Sequence, residues 1–238
     1  MRIAVRLAAP AVGSTARSEL RGDPREWSAV IVDVLRATST LTLALANGAR
    51  GVEAFADPAL AMARRAGDAS VLACGERDGR KVEGFDLGNS PLEYTRDRVE
   101  GRTLAFASTN GSLAMLATAG CARRTLGAFI NATAVLQRIR EGRPSNLLIA
   151  CAGKLGGFAL EDTAFAGWLC AALVREGATL EGAAERLSCA LAPRDAAEVR
   201  AAVEGSSHGR TLRRMGDSFA RDVEFCAGLD RVGEAFDV

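Results

Sequence analysis

The sequence predicts a three-layer α/β/α protein with a mostly parallel, mixed sheet and a helical C-terminal part. Short apolar runs alternate with amphipathic segments over most of the chain, which is typical of parallel strands joined by helices. Beyond Gly177 only helical patterns remain, so 179–238 is predicted to be a mainly helical cover. The chain has 238 residues, of which 48% are hydrophobic, so 1–238 is predicted to form a single domain around one substantial core.

The predicted strands are short runs rich in β-branched residues. Residues 29–32 read Ala-Val-Ile-Val, as in a strand that is covered on both faces. Similar runs predict strands at 3–8, 51–56, 70–74, 103–107, 124–127 and 147–151. The polar region 13–26 contains Gly22-Asp23-Pro24, a turn sequence, and is predicted to be a surface connection.

Capping residues mark the ends of the predicted helices. Asp57 supplies an N-cap, Pro58 suits the first helical position, and Gly67 marks the end. Comparable signals predict helices at 39–47, 58–66, 112–119, 131–140, 160–176, 179–191, 194–203, 207–215 and 217–227.

The composition excludes several classes of function. With 30 basic and 29 acidic residues, the chain has no charge excess that would favour nucleic acid or a membrane surface. Six cysteines without a Cys-x-x-Cys pair, and one histidine, predict buried, reduced thiols in a cytoplasmic protein and no structural zinc. No segment approaches the ~20 apolar residues of a membrane span, and the start has no signal-peptide core. The sequence is compatible with a homodimer.

A glycine-rich stretch at 75–91 follows one predicted strand. Glycines at 75, 79, 84 and 88, with Pro91 at the end, favour turns, so an ordinary strand or helix is not expected here. The stretch mixes carboxylates suited to metal ions with cations suited to phosphate. Loops this long within a compact domain are usually functional or disordered. A solvated surface loop is the alternative on composition alone.

Polar turns follow several predicted strands, and parallel sheets bind ligands at the carboxyl ends of their strands. Asp33 directly follows a buried strand, where an unpaired carboxylate needs a metal ion or an arginine to balance it. Arg36 carries a planar guanidinium suited to phosphate or carboxylate. A structural ion pair between Asp33 and Arg36 is the alternative for both residues.

Two further turns carry candidate ligands. The segment 108–112 joins a strand to a helix N-terminus, whose backbone N–H groups favour an anion. Glu161 and Asp162 open a helix, where acidic residues also complement the dipole without any function. Because adjacent helical side chains point ~100° apart, one of these two is expected to reach the site. His208 is predicted to lie at a solvated helix start rather than to act as a general acid.

Missing motifs exclude several phosphate chemistries. The chain has no Gly-x4-Gly-Lys-Ser/Thr loop, and Asp33 lacks the second aspartate of an aspartyl-phosphate phosphatase. Cys151 has Gly157, not an arginine, six residues later, and one histidine excludes histidine-rich dinuclear sites. Carboxylates and arginines without an activated nucleophile leave a hard cation with oxygen ligands, for which Mg²⁺ is the best candidate.

Seven short motifs, in the same order along nearly the whole chain, resemble the 2-phosphosulfolactate phosphatase family: Asp33–Thr40, Gly75–Arg77, Gly84–Pro91, Thr109–Gly111, Gly127–Phe129 with Asn131, Cys151–Gly153 and Leu160–Asp162. The resemblance implies a Mg²⁺-dependent phosphatase that hydrolyses 2-phosphosulfolactate to sulfolactate and phosphate. In methanogens this is a step of coenzyme M biosynthesis. The family also occurs outside that pathway, so the resemblance does not carry the pathway over.

The resemblance and the strand-end argument together predict the site. The expected metal ligands are carboxylates: Asp33, Glu76, Asp86 and one of Glu161 and Asp162. The expected substrate-binding groups are Arg36, Arg77, Thr109, Asn110 and Gly111. Catalysis is assigned to Asp33, Arg36, Glu76 and Asp86, acting on a small anionic phosphomonoester. The alternatives are a Mg²⁺-dependent lyase or phosphotransferase acting on a phosphorylated hydroxy acid, and a non-catalytic sensor of small anions.

Overall fold

A computed structural model describes residues 1–10 and 22–238. Strands and helices alternate along this part of the chain, and helices cover the sheets on both faces. The predicted three-layer α/β/α class with a helical C-terminal part is thereby confirmed. Most of the surface connection predicted at 13–26 lies outside the described residues.

The described strands form two sheets. They are β1 (Arg2–Arg6), β2 (Trp27–Val32), β3 (Gly51–Ala54), β4 (Val71–Arg77), β5 (Arg80–Lys81), β6 (Thr103–Ala107), β7 (Arg123–Gly127), β8 (Asn146–Cys151) and β9 (Thr179–Leu180). A five-stranded parallel sheet has the order β7-β2-β8-β1-β9. A four-stranded sheet has the order β3-β6-β4-β5, in which only β5 is antiparallel. The parallel, mixed pairing was predicted, whereas the division into two sheets was not.

The described helices include a counterpart of each of the nine predicted ones and one four-residue helix, Arg96–Val99, that was not predicted. They are α1 (Ala37–Ala46), α2 (Pro58–Ala66), α3 (Arg96–Val99), α4 (Gly111–Ala117), α5 (Ala132–Gly142), α6 (Leu160–Val174), α7 (Ala183–Ala190), α8 (Ala196–Glu204), α9 (Ser207–Arg214) and α10 (Asp217–Cys226). Asp57 caps α2 as predicted, because its side chain accepts a hydrogen bond from the Ala59 N–H.

A shared hydrophobic core joins the two sheets. Ile31 and Leu126 from the five-stranded sheet belong to the same buried cluster as Leu104 and Phe106 from the four-stranded sheet. Leu41 of α1 is buried in that cluster too, and α4 contributes further apolar side chains to it. The outer face of the four-stranded sheet packs against α2. The two sheets therefore share one interior, and their strand ends can contribute to one site.

The glycine-rich stretch is more regular than the sequence predicted. β4 continues to Arg77, and a two-residue turn at Asp78 and Gly79 leads into β5. Both turn residues have positive φ, at 52° and 78°, as the tightest hairpins require. Position 75 within β4 requires glycine. Its φ is 131°, and a Cβ there would lie 1.9 Å from the Ala107 carbonyl oxygen. The prediction that no strand would form here is wrong at this end of the stretch.

The expectation of only helical structure beyond Gly177 is also wrong at one place. Thr179 and Leu180 form β9, a two-residue edge strand that pairs in parallel with Arg2 and Ile3. Two residues are too few to produce a recognisable alternation of apolar and polar side chains. The helix predicted at 179–191 therefore included them.

Replacing Gly75 by alanine is expected to destabilise the protein by about 3 kcal/mol or more, because the new methyl group meets backbone and the backbone is strained at that φ. Urea unfolding would measure the loss. Gly51→Ala is the matched control, since a Cβ at Gly51 meets no described atom within 4 Å and its φ lies outside the left-handed region. Equal stability of the two variants would contradict the role assigned to Gly75.

Candidate active site

A cavity of about 220 Å³ lies at the carboxyl ends of strands from both sheets. β2 and β8 of the five-stranded sheet and β4 and β6 of the four-stranded sheet lead into residues that line it, and α9 covers another side. The lining residues are Asp33, Leu35, Arg36, Glu76, Asp78, Gly79, Asn89, Thr109, Asn110, Lys154, Leu155, His208, Thr211, Leu212 and Met215.

Asp33 lies almost fully buried at the end of β2. Its Oδ1 accepts a hydrogen bond of 3.2 Å from the Ala37 N–H, and no described residue donates to its Oδ2. Burial raises the pKa of Asp33 to about 6; the charge of His208 opposes this shift and those of Glu76 and Glu161 add to it. Asp33 therefore keeps its proton to a higher pH than an exposed aspartate does.

Gly111 was predicted to bind substrate, but the structure gives it a packing role. A Cβ at this position would lie 2.4 Å from the Ala37 Cβ and 2.7 Å from Asp33 Oδ2. Gly111 is absent from the cavity lining, whereas its neighbours Thr109 and Asn110 are part of it. Glycine at 111 therefore lets the turn after β6 approach Asp33.

Asp162 and Glu161 are both buried in the first turn of α6. Asp162 accepts hydrogen bonds from the Val34 N–H at 2.8 Å and the Gly153 N–H at 3.0 Å, so it joins the ends of β2 and β8. Burial raises the pKa of Asp162 well above its ordinary value, and the charges of Glu161 and Asp33 add to this. Asp162 positions the backbone, while Glu161 contacts a side chain that lines the cavity, His208.

Glu76 is buried at the end of β4 and lines the cavity. Its Oε1 accepts a hydrogen bond of 2.7 Å from the Thr109 N–H, and its Oε2 accepts one of 2.7 Å from the Gly79 N–H. Glu76 therefore fixes the hairpin turn and the turn after β6 in one position. The Thr109 N–H, predicted to bind an anion, donates to this carboxylate instead.

Arg36 is buried at 4% exposure, and its partner differs from the one considered in the sequence. It forms a 2.7 Å ion pair with Asp222 of α10 rather than with Asp33, and it donates a 2.6 Å hydrogen bond to the Gly79 carbonyl. The guanidinium carbon also lies 5.1 Å from the centre of the Phe219 ring. These contacts hold the guanidinium rigidly at the cavity wall.

His208 lies at the start of α9, as predicted, but the prediction that it is solvated is wrong. Its side chain is 19% exposed and lines the cavity, and its Nδ1 lies 3.3 Å from Oε1 of the buried Glu161. The sequence could not show this pairing because α6 and α9 are far apart in the chain. The contact with Glu161 leaves Nε2 as the ring nitrogen available to a ligand.

Asp86 and Arg77 do not join the other predicted residues. The carboxylate of Asp86 binds the guanidinium of Arg65 at 2.9 and 3.1 Å and also accepts from the Ala73 N–H. Arg77 donates to the carbonyl oxygens of Glu76 and Ala56. Within the described part of the chain, the cavity lining includes neither Asp86 nor Arg77. The structure therefore supports a local structural role for both.

Two lining residues, Asn89 and Lys154, were absent from the predicted site. Asn89 is 6% exposed, and its buried Oδ1 has no hydrogen-bond partner in the described part of the chain. An unpaired buried carbonyl oxygen is costly unless a ligand or water supplies a donor or a cation. Asn89 occurs in one of the seven motifs, which was the available signal. Lys154 carried no comparable signal.

All six cysteines are free, and four of them are buried, as predicted. Cys151 ends β8 at the base of the site, where burial raises the pKa of its thiol well above the ordinary value. A thiol that resists ionisation is a poor nucleophile. The position therefore argues against covalent catalysis by Cys151.

The sequence model of the 2-phosphosulpholactate phosphatase family matches residues 15–233. The chain belongs to this family. A family member named "Probable 2-phosphosulfolactate phosphatase" from Synechococcus sp. strain RCC307 is 40% identical over 210 residues, which cover 85% of each chain. Proteins with the same name from Synechococcus sp. strain CC9605 and Thermotoga petrophila are 39% and 38% identical, covering 91% and 85% of this chain and 90% and 85% of theirs.

The resemblance to the 2-phosphosulfolactate phosphatase family seen in the sequence is thereby confirmed. In residues 1–10 and 22–238, no helix is long and apolar enough to cross a membrane.

The donor set of this family member suits Mg²⁺. Within the described ranges, no three His, Cys, Asp or Glu side chains are arranged to hold a metal ion by themselves. Mg²⁺ is commonly bound by one or two carboxylates, with water and substrate phosphate completing the shell. The Oδ2 of Asp33 is a hard oxygen atom that accepts no hydrogen bond from a described residue, and Asn89, whose Oδ1 is buried and unpaired, also lines the cavity. The residues present therefore fit a cation that is bound together with its substrate.

Asp33 is expected to make the metal-free protein less stable as pH rises. Its pKa is raised from 3.8 to about 6 in the folded state, so the folded protein holds a proton that the unfolded chain has lost. This stabilisation is complete below about pH 4 and is lost as pH rises through about 6. Urea unfolding in EDTA between pH 4 and 7 should show the wild type losing stability relative to Asp33→Asn. Parallel pH curves would contradict the assignment.

Proposed function

We propose that the protein hydrolyses 2-phosphosulfolactate, or a closely related phosphorylated hydroxy acid, to the free hydroxy acid and phosphate with Mg²⁺ as cofactor. One observation carries the proposal. In a chain of this family, Asp33, Glu76 and Arg36 meet in a cavity of about 220 Å³ at strand ends of both sheets. The named relatives supply the substrate class, and the cavity size suits a three-carbon compound.

Asp33 is our first candidate for a metal ligand, with the Asn89 carbonyl as a second. Asp33 reaches the cavity with one carboxylate oxygen that no described residue satisfies. Both oxygens of Glu76 already accept backbone hydrogen bonds, so Glu76 contributes its charge and holds the surrounding turns. When bound, Mg²⁺ supplies charge neutralisation on the transferring phosphoryl group.

Arg36 is proposed to bind the phosphoryl oxygens. A guanidinium has five N–H donors, and the described contacts use two of them, to Asp222 and to the Gly79 carbonyl. The remaining donors lie at the cavity wall, and a cation held this rigidly does not need to reorganise as charge develops during the reaction. Asp222 is thus proposed to position Arg36.

His208 is proposed to take the proton of the attacking water. The Glu161 carboxylate lies 3.3 Å from Nδ1 and favours a proton on that nitrogen, which leaves Nε2 as a proton acceptor at the cavity. The water oxygen then forms a bond to phosphorus while the bond from phosphorus to the ester oxygen breaks. The proton passes to the departing oxygen, so atoms and charge balance.

Phosphate release from 2-phosphosulfolactate should require Mg²⁺ and Asp33. Excess EDTA should abolish the release, and Asp33→Asn should lower kcat/KM at least about 100-fold, because it removes a charged ligand. Asp86→Asn is the matched exchange outside the cavity and should retain activity within about 3-fold. Phosphate analysis with both variants, after thermal unfolding has shown that they are folded, makes the comparison.

The products separate this proposal from its alternatives. Loss of the phosphoryl group with formation of an alkene would indicate a lyase, and transfer to an added alcohol instead of water would indicate a phosphotransferase. Tight binding of the phosphorylated acid without turnover, with or without Mg²⁺, would indicate a sensor. Full activity of Asp33→Asn would remove Asp33 from the metal site.

His208→Ala should lower kcat by about 10²- to 10⁴-fold with a smaller change in KM, as for loss of a general base. Added imidazole should restore part of the activity, because the removed ring leaves space at the cavity wall. Thr211→Ala is the matched truncation on the same helix and should gain nothing from imidazole. A His208→Ala variant with normal kcat would refute the proposed base.

A further inference from the structure

We propose that Lys154 binds the second acid group of the substrate, a carboxylate or a sulfonate, and so makes the enzyme specific for phosphomonoesters that carry such a group. This inference rests on the proposed function and deepens it. It adds Lys154 to the substrate-binding groups expected from the sequence, which were Arg36, Arg77, Thr109, Asn110 and Gly111.

The basic side chains at the cavity differ in their partners. Of the cations in the lining, Arg36 is paired with Asp222 and His208 with Glu161. Lys154 forms no ion pair with any described residue. Arg77 donates to backbone carbonyls outside the cavity. Among the cations of the described cavity lining, Lys154 is therefore the one without a carboxylate partner at ion-pair distance.

Lys154 sits on a turn of defined geometry. The turn closes through two hydrogen bonds of 2.9 Å between the backbones of Lys154 and Gly157. Gly153 has a φ of 65°, and a Cβ there would lie 2.2 Å from the Gly157 carbonyl oxygen, so the approach requires glycine. Asp162 accepts from the Gly153 N–H at the start of the turn. Lys154 thus leaves the strand end in a fixed direction.

A side-chain contact ties this turn to the opposite sheet. The Leu155 N–H donates a 2.9 Å hydrogen bond to Oδ1 of Asn110, which follows β6. Lys154 therefore keeps its position relative to the turn that also carries Thr109.

The cavity residues differ in burial, and this difference indicates which part of the substrate each of them binds. Asp33, Arg36 and Glu76 are all less than 10% exposed, whereas Lys154 is partly exposed and the adjacent Leu155 is 75% exposed. The phosphoryl group belongs at the buried end, where the carboxylates and the guanidinium meet. An acid group elsewhere on the substrate then extends toward the rim, where Lys154 can bind it as a point charge.

The test uses four phosphomonoesters of one secondary alcohol skeleton: 2-phosphosulfolactate, 2-phospholactate, 1-sulfopropan-2-yl phosphate and isopropyl phosphate. Lys154→Met should lower kcat/KM about 10- to 100-fold for substrates with the recognised acid group, the range for a charge-assisted hydrogen bond. Isopropyl phosphate should be hydrolysed within about 3-fold of the wild-type rate. Loss on phospholactate identifies the carboxylate as the partner, and loss on the sulfonate analogue identifies the sulfonate.

Two controls accompany this comparison. Lys81→Met changes the other lysine of the chain, which is exposed on β5 and absent from the cavity lining, and should leave all four rates unchanged. Lys154→Arg keeps the charge and should recover part of the selectivity. Thermal unfolding checks that Lys154→Met is folded.

Three outcomes would overturn the inference about Lys154. These are equal losses on all four substrates, no loss on any, and an effect of Lys81→Met that matches that of Lys154→Met. Failure of the wild type to hydrolyse any of the four would refute the proposed function instead. Calorimetric binding of sulfolactate to the wild type and to Lys154→Met then decides the role of Lys154. Weaker binding by the variant supports the inference, and equal binding or none refutes it.

Discussion

The burial of several carboxyl groups at the strand ends is the constraint on which the rest of this site depends. Asp33, Glu161 and Asp162 are buried close together, and buried carboxylates are costly unless they are paired or hydrogen-bonded. Backbone N–H groups reduce that cost, and each bond fixes a piece of chain. Asp162 joins the residues after β2 to those after β8, and Glu76 joins the hairpin to the turn after β6. The hydrogen bonds that these acid groups accept therefore fix the conformation of the loops around the cavity.

Most of the strands and helices, and the position of Asp33, could be predicted because local patterns encode them. An apolar, β-branched run that stops at an aspartate indicates both a buried strand and a carboxylate at its end. Glu76 and the residues around Thr109 followed from the same reasoning. The division into two sheets could not be predicted, because each sheet is made of similar short runs and the pattern does not reveal which strands pair.

The choice of partners is the part that the sequence could not reveal. Arg36 pairs with Asp222, a residue 186 positions away, and no local signal connects the two. The same holds for His208, whose helix crosses the cavity only in the folded chain. Asp86 lies outside the cavity lining, and it forms an ion pair with Arg65 on α2 that no local signal revealed. The ion-pair partner of a carboxylate in a motif is therefore decided by the fold and not by the motif.

The position of the cavity between two sheets has a consequence for the lifetime of the protein. Arg36 follows a strand of one sheet and Gly79 lies on the hairpin of the other, so their hydrogen bond already bridges the two. A substrate that touches residues of both sheets adds its binding free energy to that bridge by mass action. Proteases attack the transiently open protein, whose population falls as the bridge strengthens. A bound substrate would therefore slow proteolysis of this protein, so ligand occupancy contributes to the lifetime of the chain.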